Sequence, residues 1–229
     1  MSQSVFPALP GLMWGFTLGE RFDTVIYPAA APGFETRISK GSDSTFMIKL
    51  QYEFLRNKPS VDELSTLRAF FRAMKGDFDS FLLDLSTLTH NSADDTIANQ
   101  VLTVDANGYA PLVRNVAGNV VSNLETIYEV NTITSVKANN VTYTLTGHNV
   151  NATAGHYSYW DASPTRTYAG ASYPGVVIQF GTVPTPPPDV ISFSWYYRVR
   201  FEKGEADFDA FMFELYELQE ISLMTTRLL

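Results

Sequence analysis

The chain has 229 residues and a mass of 25.5 kDa, of which 45% is hydrophobic; that is enough for a substantial core in one or two domains. It contains no cysteine, which excludes structural disulfides, thiolate metal sites, iron–sulfur clusters and a cysteine nucleophile. Lys plus Arg number 16 against 24 Asp plus Glu, a formal charge of −8 with pI near 4.8, the wrong sign for a protein that grips phosphate backbones.

The first residues, through Phe16, carry no basic side chain ahead of their apolar stretch and are broken by Pro7 and Pro10, so they do not read as a secretory signal. No run of about 18 apolar residues occurs. The expectation is a soluble protein made in the cytoplasm. Phe46, Ile48, Leu50, Tyr52 and Phe54 alternate with Met47, Lys49, Gln51 and Glu53, a period of two that predicts a strand with one buried face. Lys58-Pro59-Ser60-Val61-Asp62-Glu63 reads as a capping box in which Ser60 and Glu63 satisfy each other's amides. A helix is expected from there, with Leu64, Leu67, Phe70, Phe71 and Met74 on one stripe and Gly76 as a left-handed cap. The aromatic run Phe78 to Asp84 predicts a second strand.

Short apolar runs follow at Ile97 to Val104, Leu124 to Thr132, Val141 to Thr146 and Val176 to Phe180, separated by Asn-Gly, Gly-Asn and Thr-Gly pairs, the spacing of a small sandwich or barrel. Asn107-Gly108 is the strongest hairpin signal among them. After Pro184-Thr-Pro-Pro-Pro-Asp189, a stiff and extended linker by composition, the longest predicted strand runs from Ile191 to Glu202. Its apolar face is Ile191, Phe193, Trp195, Tyr197, Val199 and Phe201, and its polar face ends in Arg198, Arg200 and Glu202. Residues 208 to 218 fit a strand or a helix stripe, and aromatic content favours the strand.

Composition divides the chain. Residues 89 to 193 hold 11 of the 12 Asn, all three His and only 10 of the 40 charges. Such a shift and return predicts an inserted module: residues 1–88 with 190–229 as a discontinuous host domain, and 89–189 as a peripheral β domain. The alternative is one large β domain with an Asn-rich half.

Few residues advertise chemistry. HExxH, Walker and GxGxxG patterns are all lacking, and Gly170-Ala-Ser172-Tyr-Pro174 has proline where a nucleophile elbow needs glycine. His148 and His156 would share a metal only if a hairpin joined them. The carboxylate pairs Asp77/Asp79 and Asp94/Asp95 fall where acids are ordinarily solvated. Asn140-Val-Thr142 and Asn151-Ala-Thr153 match glycosylation sequons, read as chance without a secretory signal. No enzyme, cofactor or metal is expected. The cluster His156-Tyr157-Ser158-Tyr159-Trp160, with Tyr168 and Tyr173 beyond it, is the one candidate for recognition: Tyr157, Tyr159 and Trp160 would stack on sugar rings or a protein partner, or else form the buried face of a strand.

The order of several segments resembles a known family. Val5-Phe6-Pro7, Pro32-Gly-Phe-Glu-Thr-Arg37, Tyr52-Glu-Phe-Leu55, Leu67-Arg-Ala-Phe-Phe-Arg-Ala-Met-Lys-Gly76, Asp77-Phe-Asp-Ser-Phe-Leu-Leu-Asp84 and Tyr197-Arg-Val-Arg-Phe201 with Asp207 together resemble the distal tail proteins of long-tailed bacteriophages and gene transfer agents. Asp84 is followed by Leu85 where the family often has proline, and the glycine-rich motif that opens the variable segment is missing or blurred. The resemblance covers about half the chain. It implies a mainly β fold with one flanking helix, a tail-tube-like sandwich or barrel carrying an inserted small β domain. It further implies a structural virion protein at the tail tip, assembled in the host bacterial cytoplasm as a homo-oligomer. Six copies would form a ring joining the tail tube protein to the tail-tip hub protein or baseplate, with a channel that DNA traverses without specific binding. Arg198, Arg200 and Glu202 are then candidates for the interface between copies, and the insert for contact with another tip component or a host glycan. An acidic total charge suits a conduit through which DNA slides. The competing readings are a tail tube or other baseplate subunit, and a carbohydrate-binding module at the tail tip.

Overall fold

The computed structural model of the protein describes residues 4–12, 16–28, 35–40, 44–58, 60–89, 96–115, 124–138, 141–161, 167–168, 171–172, 175–184, 190–206, 209–212 and 215–226. Along the chain, β1 (Thr17–Arg21), β2 (Thr24–Pro28), β3 (Glu35–Ser39), β4 (Thr45–Lys58) and β5 (Val61–Asp62) precede helix α1 (Glu63–Ala73) and β6 (Phe81–Leu83). A short helix α2 (Leu85–Thr89) leads to β7 (Thr96–Gln100), β8 (Tyr109–Pro111), β9 (Val113–Asn115), β10 (Leu124–Thr126), β11 (Val130–Ala138) and β12 (Val141–His148). Then come β13 (His156–Trp160), β14 (Thr167–Tyr168), β15 (Ala171–Ser172), β16 (Val177–Phe180) and β17 (Val190–Trp195). The chain closes with β18 (Tyr197–Phe201), β19 (Asp209–Met212) and β20 (Leu215–Thr225). The protein is mainly β, and it divides into two compact units, Met1–Leu82 with Val199–Thr226, and Leu83–Arg198 with Arg227–Leu229.

The first unit is built on β4, whose alternation buries Ile48, Leu50 and Tyr52. β20 lies antiparallel beside it, pairing Ile221 with Leu50 and Leu223 with Ile48, and its own Leu218, Ile221 and Leu223 are buried. The strand order is β1-β4-β20-β18-β6, with β5 and β19 added at β4 and β20. Register shifts between Tyr216 and Leu218 put an extra residue into β4, so a bulge reverses the strand's phase: Leu55 is fully buried and Phe54, expected on the buried face, is only half-buried.

Helix α1 covers this sheet. Leu64, Leu67 and Met74 are buried, as the stripe requires. The cap differs from expectation: Asp62, not Ser60, accepts from the Ser65 amide at 3.0 Å. Glu63 cannot complete a capping box because its carboxylate is held by the Arg56 amide and Nε at 3.0 Å and by the rest of that guanidinium. At the other end Gly76 N–H reaches Phe71 O at 3.1 Å and Lys75 N–H reaches Arg72 O at 3.1 Å, the paired bonds of a Schellman motif. Gly76 has φ +64, and a Cβ there would lie 2.9 Å from the Gly204 Cα, so both backbone conformation and space demand glycine. Beyond it Phe78 is 79% exposed and the strand begins only at Phe81. A second helix was not expected; Asp84 starts it by accepting from the Thr87 amide and the Ser86 hydroxyl, each at 3.0 Å.

Five phenylalanines fill the space between helix and sheet. Phe81 is fully buried, with ring centroids 5.0 Å from Phe70, 5.8 Å from Phe6 and 4.9 Å from Phe201; Phe71 meets Phe201 at 4.8 Å. The N-terminal segment fastens to β6 through Phe6 N–H to Leu82 O and Leu82 N–H to Ser4 O, at 2.8 and 2.9 Å. Among the described residues, β2 and β3 pair only with each other. Opposite pairs place Val25, Tyr27, Thr36 and Ile38 on one face of this ribbon and Thr24, Ile26, Glu35, Arg37 and Ser39 on the other. Tyr27 and Ile38 are 55% and 51% exposed.

The second unit is a seven-stranded sheet in the order β7-β17-β11-β12-β13-β16-β8, with the two-stranded ribbons β9–β10 and β14–β15. Its core includes Leu102, Leu112, Val136, Tyr157, Ile178, Phe180 and Phe193. Asn107-Gly108 does form a turn, in which the Asp105 carboxylate accepts from the Asn107 and Tyr109 amides. The turn does not make a hairpin of its flanks, since β8 pairs with β16. The long strand expected over 191–202 is broken at Tyr196, whose amide donates to Glu129 O at 3.0 Å instead of continuing one ladder. β17 therefore joins the sheet of the second unit and β18 that of β20 and β6. Residues 208 to 218 supply strands where described; 185–189 and Phe208 lie outside the described residues.

Two predictions follow from the buried polar groups of the first unit. The Tyr52 hydroxyl is buried without a hydrogen-bond partner among the described residues, and burial pushes its pKa up. Tyr52→Phe is expected to leave stability unchanged or raise it by about 1 kcal/mol, read as the urea midpoint; a loss of that size would show that the hydroxyl is satisfied. Burial pushes the Glu63 carboxyl up, but hydrogen bonds from the Arg56 side chain and amide and the charge of Arg56 bring it below its ordinary value. The stabilisation is thus complete above the unfolded carboxylate value of about 4.3 and is lost as pH falls through the native value. Glu63→Gln should lower the urea midpoint at pH 7 and flatten its fall below pH about 4; an unchanged pH slope would exclude this contribution.

Candidate functional site

The second unit brings its polar and aromatic side chains together through an unusual connection. β12 and β13 are parallel, yet only residues 149–155 join them, where parallel neighbours ordinarily need a crossover of a dozen residues or more. The return is held close to the sheet: Ala152 N–H donates to Gln179 Oε1 at 3.4 Å, Thr153 N–H to Thr146 Oγ1 at 3.4 Å, and His156 N–H to Thr153 O at 3.0 Å. A Cβ on Gly181 would lie 1.9 Å from Thr153 O, so a side chain there would lift the return off β16.

At the far end of β12 three polar side chains converge. His148 Nε2 lies 2.6 Å from Asp161 Oδ1, Asn149 Nδ2 donates to Asp161 Oδ2 at 2.9 Å, and Asp161 N–H donates back to Asn149 Oδ1 at 3.1 Å. Asn149 has φ +55, a left-handed conformation that asparagine tolerates better than most residues, and its amide donates to Tyr159 O at 2.9 Å. The His148 ring stacks on Tyr159 at 4.6 Å and 22°. Burial and then the Asp161 charge raise the Tyr159 hydroxyl. Gln179 links the neighbouring strands, accepting from Trp160 Nε1 at 3.2 Å and donating to the Tyr109 hydroxyl at 3.3 Å. The cluster presents a carboxylate, an amide and aromatic edges.

Of the recognition candidates, Tyr157 is corrected: it is 4% exposed and its hydroxyl is raised first by burial, because its face of β13 is the core face. Tyr159 and Trp160 are half-buried and stay at the cluster. Tyr168 is described only in its backbone, and Tyr173 lies outside the described residues. The two histidines do not meet: His156 pairs with Thr144 and His148 with Tyr159. Among the described residues no group of three or more His, Asp or Glu could hold a metal. Asp77 is exposed and Asp79 accepts from the Ser80 amide at 2.8 Å, a turn contact. Asp94, Asp95, Asn140 and Pro174 lie outside the described residues.

Among the interface candidates Arg198 is also corrected. Its side chain is 5% exposed and its guanidinium is ion-paired with Glu129, Nε donating at 2.8 Å, so it cannot face a neighbouring copy. Alternation alone placed it outward; Glu129, which lies just before β11, covers that face. Arg200, which donates to Phe201 O at 3.2 Å, and Glu202, whose amide donates to Ser222 O at 2.9 Å, are half-buried. Arg114 lies over Trp195 at 4.9 Å and donates to the Tyr197 hydroxyl at 3.0 Å, a cation–π clasp that no sequence spacing announced. Asp161, Asn149 and Gln179 escaped the sequence for the same reason: parallel pairing across a short return has no local signature.

Comparison with known protein families and with curated proteins finds no match for the chain.

The Arg198–Glu129 pair yields a prediction. Glu129→Gln removes the Glu129 charge from beside a buried guanidinium and should cost roughly 3 kcal/mol, measured by urea denaturation. Replacing both with apolar side chains, Glu129→Leu with Arg198→Met, should recover most of that loss. A Glu129→Gln variant as stable as the parent would show that the pair contributes nothing.

Proposed function

We propose that the protein is a structural subunit of a bacteriophage tail, a ring-forming protein like the distal tail proteins, joining tail tube to tip and leaving a channel for DNA. The observation that carries the reading is the β2–β3 ribbon. The ribbon has no further partner strand among the described residues, Tyr27 and Ile38 on one face and Ile26 on the other are each more than half exposed, and an isolated two-stranded ribbon is marginal in water. A neighbouring copy would bury Tyr27 and Ile38 and steady the ribbon. Two further features favour the reading. The segments that carry the family resemblance at either end of the sequence meet in one sheet, where β20 lies between β4 and β18. The charge of −8 suits a conduit that must not retain DNA.

Tail morphology aside, the ring itself is directly testable. Electron microscopy with class averaging, together with solution mass at high concentration, is expected to give closed rings of six copies. Tyr27→Asp with Ile38→Asp, at exposed positions, should leave circular dichroism unchanged and abolish the rings. Long stacked tubes would move the assignment to a tube subunit. A monomer at every concentration, in the parent protein, would overturn the ring.

A further inference from the structure

Phe78, in the turn that follows α1, is 79% exposed, more than any other large apolar side chain described. Within the same unit lies a cavity of about 110 Å³. Phe71, Phe201 and Ile221 line it, together with Lys203, Glu205 and Ala206. Phe201 and Ile221 are buried and form its floor, while Lys203 and Glu205 are exposed and form its rim. Ring and cavity are neighbours because two glycine backbones touch between them. A Cβ on Gly76 would lie 2.9 Å from the Gly204 Cα, and one on Gly204 would lie 3.1 Å from Asp77 Oδ1, so the turn that carries Phe78 packs against the turn that carries the rim. Phe78 nonetheless stays outside the cavity of its own chain, with the Lys75 ammonium 5.3 Å from its ring centroid. A phenyl ring held in water beside an apolar floor leaves a large favourable burial unused.

The dimensions suit a ring. An apolar protein cavity of about 150 Å³ holds a whole benzene, so one of about 110 Å³ that opens to solvent admits a single phenyl ring from outside. We infer that Phe78 of one copy fills the Phe71 and Phe201 cavity of a second copy, whose own Phe78 fills the cavity of the first. Because knob and cavity share one surface, each insertion brings its reciprocal, and the two copies close on a two-fold axis. Such a contact is complete at two and goes beyond the ring reading, which needs a contact that propagates. The charges around it permit the approach: Lys203 and Glu205 on the rim, and Lys75 and Asp77 ahead of Phe78, are exposed groups of both signs. Glu220, also at the cavity, is held by Lys49 and Ser222 and acts only as wall. Affinity then comes from the buried aromatic anchor, as at the centre of protein interfaces generally.

The test uses the full chain, with mass followed by sedimentation over a range of concentrations, in the Tyr27→Asp with Ile38→Asp background that removes the ribbon contact. That background is expected to give dimers and nothing larger. Phe78→Ser, at an exposed position, should leave circular dichroism unchanged and weaken the dimer at least about tenfold. Ala206→Phe, which fills the cavity from its own wall, should weaken it comparably, and the two changes together should cost no more than either alone, since both remove one contact. A background that stays monomeric while the parent forms rings would overturn this inference and leave the ring reading standing. Dimers in the parent without rings, lost on Phe78→Ser, would support the inference and count against the ring. Dimers broken by Ala206→Phe but untouched by Phe78→Ser would give the cavity a different occupant and overturn the assignment. Parent rings lost on Phe78→Ser would place Phe78 in the ring contact and overturn the two-fold pairing.

Discussion

Burial of Phe201 against Phe71 and Phe81 is the contact on which the first unit depends. It brings a strand near the end of the chain against a helix and a strand from its first third, and Phe6 and Phe70 close the remaining sides of Phe81. Aromatic rings suit the task because each removes a large apolar area from water and edge-to-face contacts add to that gain. The entropic cost of joining distant segments grows only slowly with the length between them, by about 0.6 kcal/mol for each doubling. A whole β unit can therefore stand between β6 and β18 without undoing the sheet that they share.

Local periodicity made the frame of this fold legible. The alternation from Phe46 to Tyr52, the apolar stripe of α1 and the left-handed glycine at its end all follow from side chains a few residues apart. The misreadings share one cause, a partner far away in sequence or across a turn. Phe54 leaves the core because the opposing β20 slips register; Ser60 loses the cap because Arg56 claims Glu63. Arg198 turns from a surface residue into a buried one because Glu129 lies opposite. The His148 and Asp161 pair was invisible for want of any local motif that announces a parallel return across residues 149–155.

The polar groups that the fold buries are mostly consumed in holding it. Arg198 serves Glu129, Trp160 serves Gln179, and Arg114 clasps Tyr197, so residue types that sequence reasoning assigns to recognition are internal fasteners here. Outward, among the described residues, lie the β2–β3 ribbon with Ile26, Tyr27 and Ile38, the ring of Phe78, and the His148–Asp161 pair.

The discontinuity of the first unit sets an order in time. Its sheet requires Val199–Thr226, which a ribosome reaches only after the 116 residues from Leu83 to Arg198 have been made. At synthesis rates of about 5–20 residues per second that interval is on the order of ten seconds. The second unit waits as well, because β17, between β7 and β11 in its sheet, ends at Trp195, and meanwhile Phe6, Phe70 and Phe81 lack Phe201 to cover them. The nascent protein thus carries aromatic side chains without their final cover for about half of its synthesis, and both sheets close only with the strands made last.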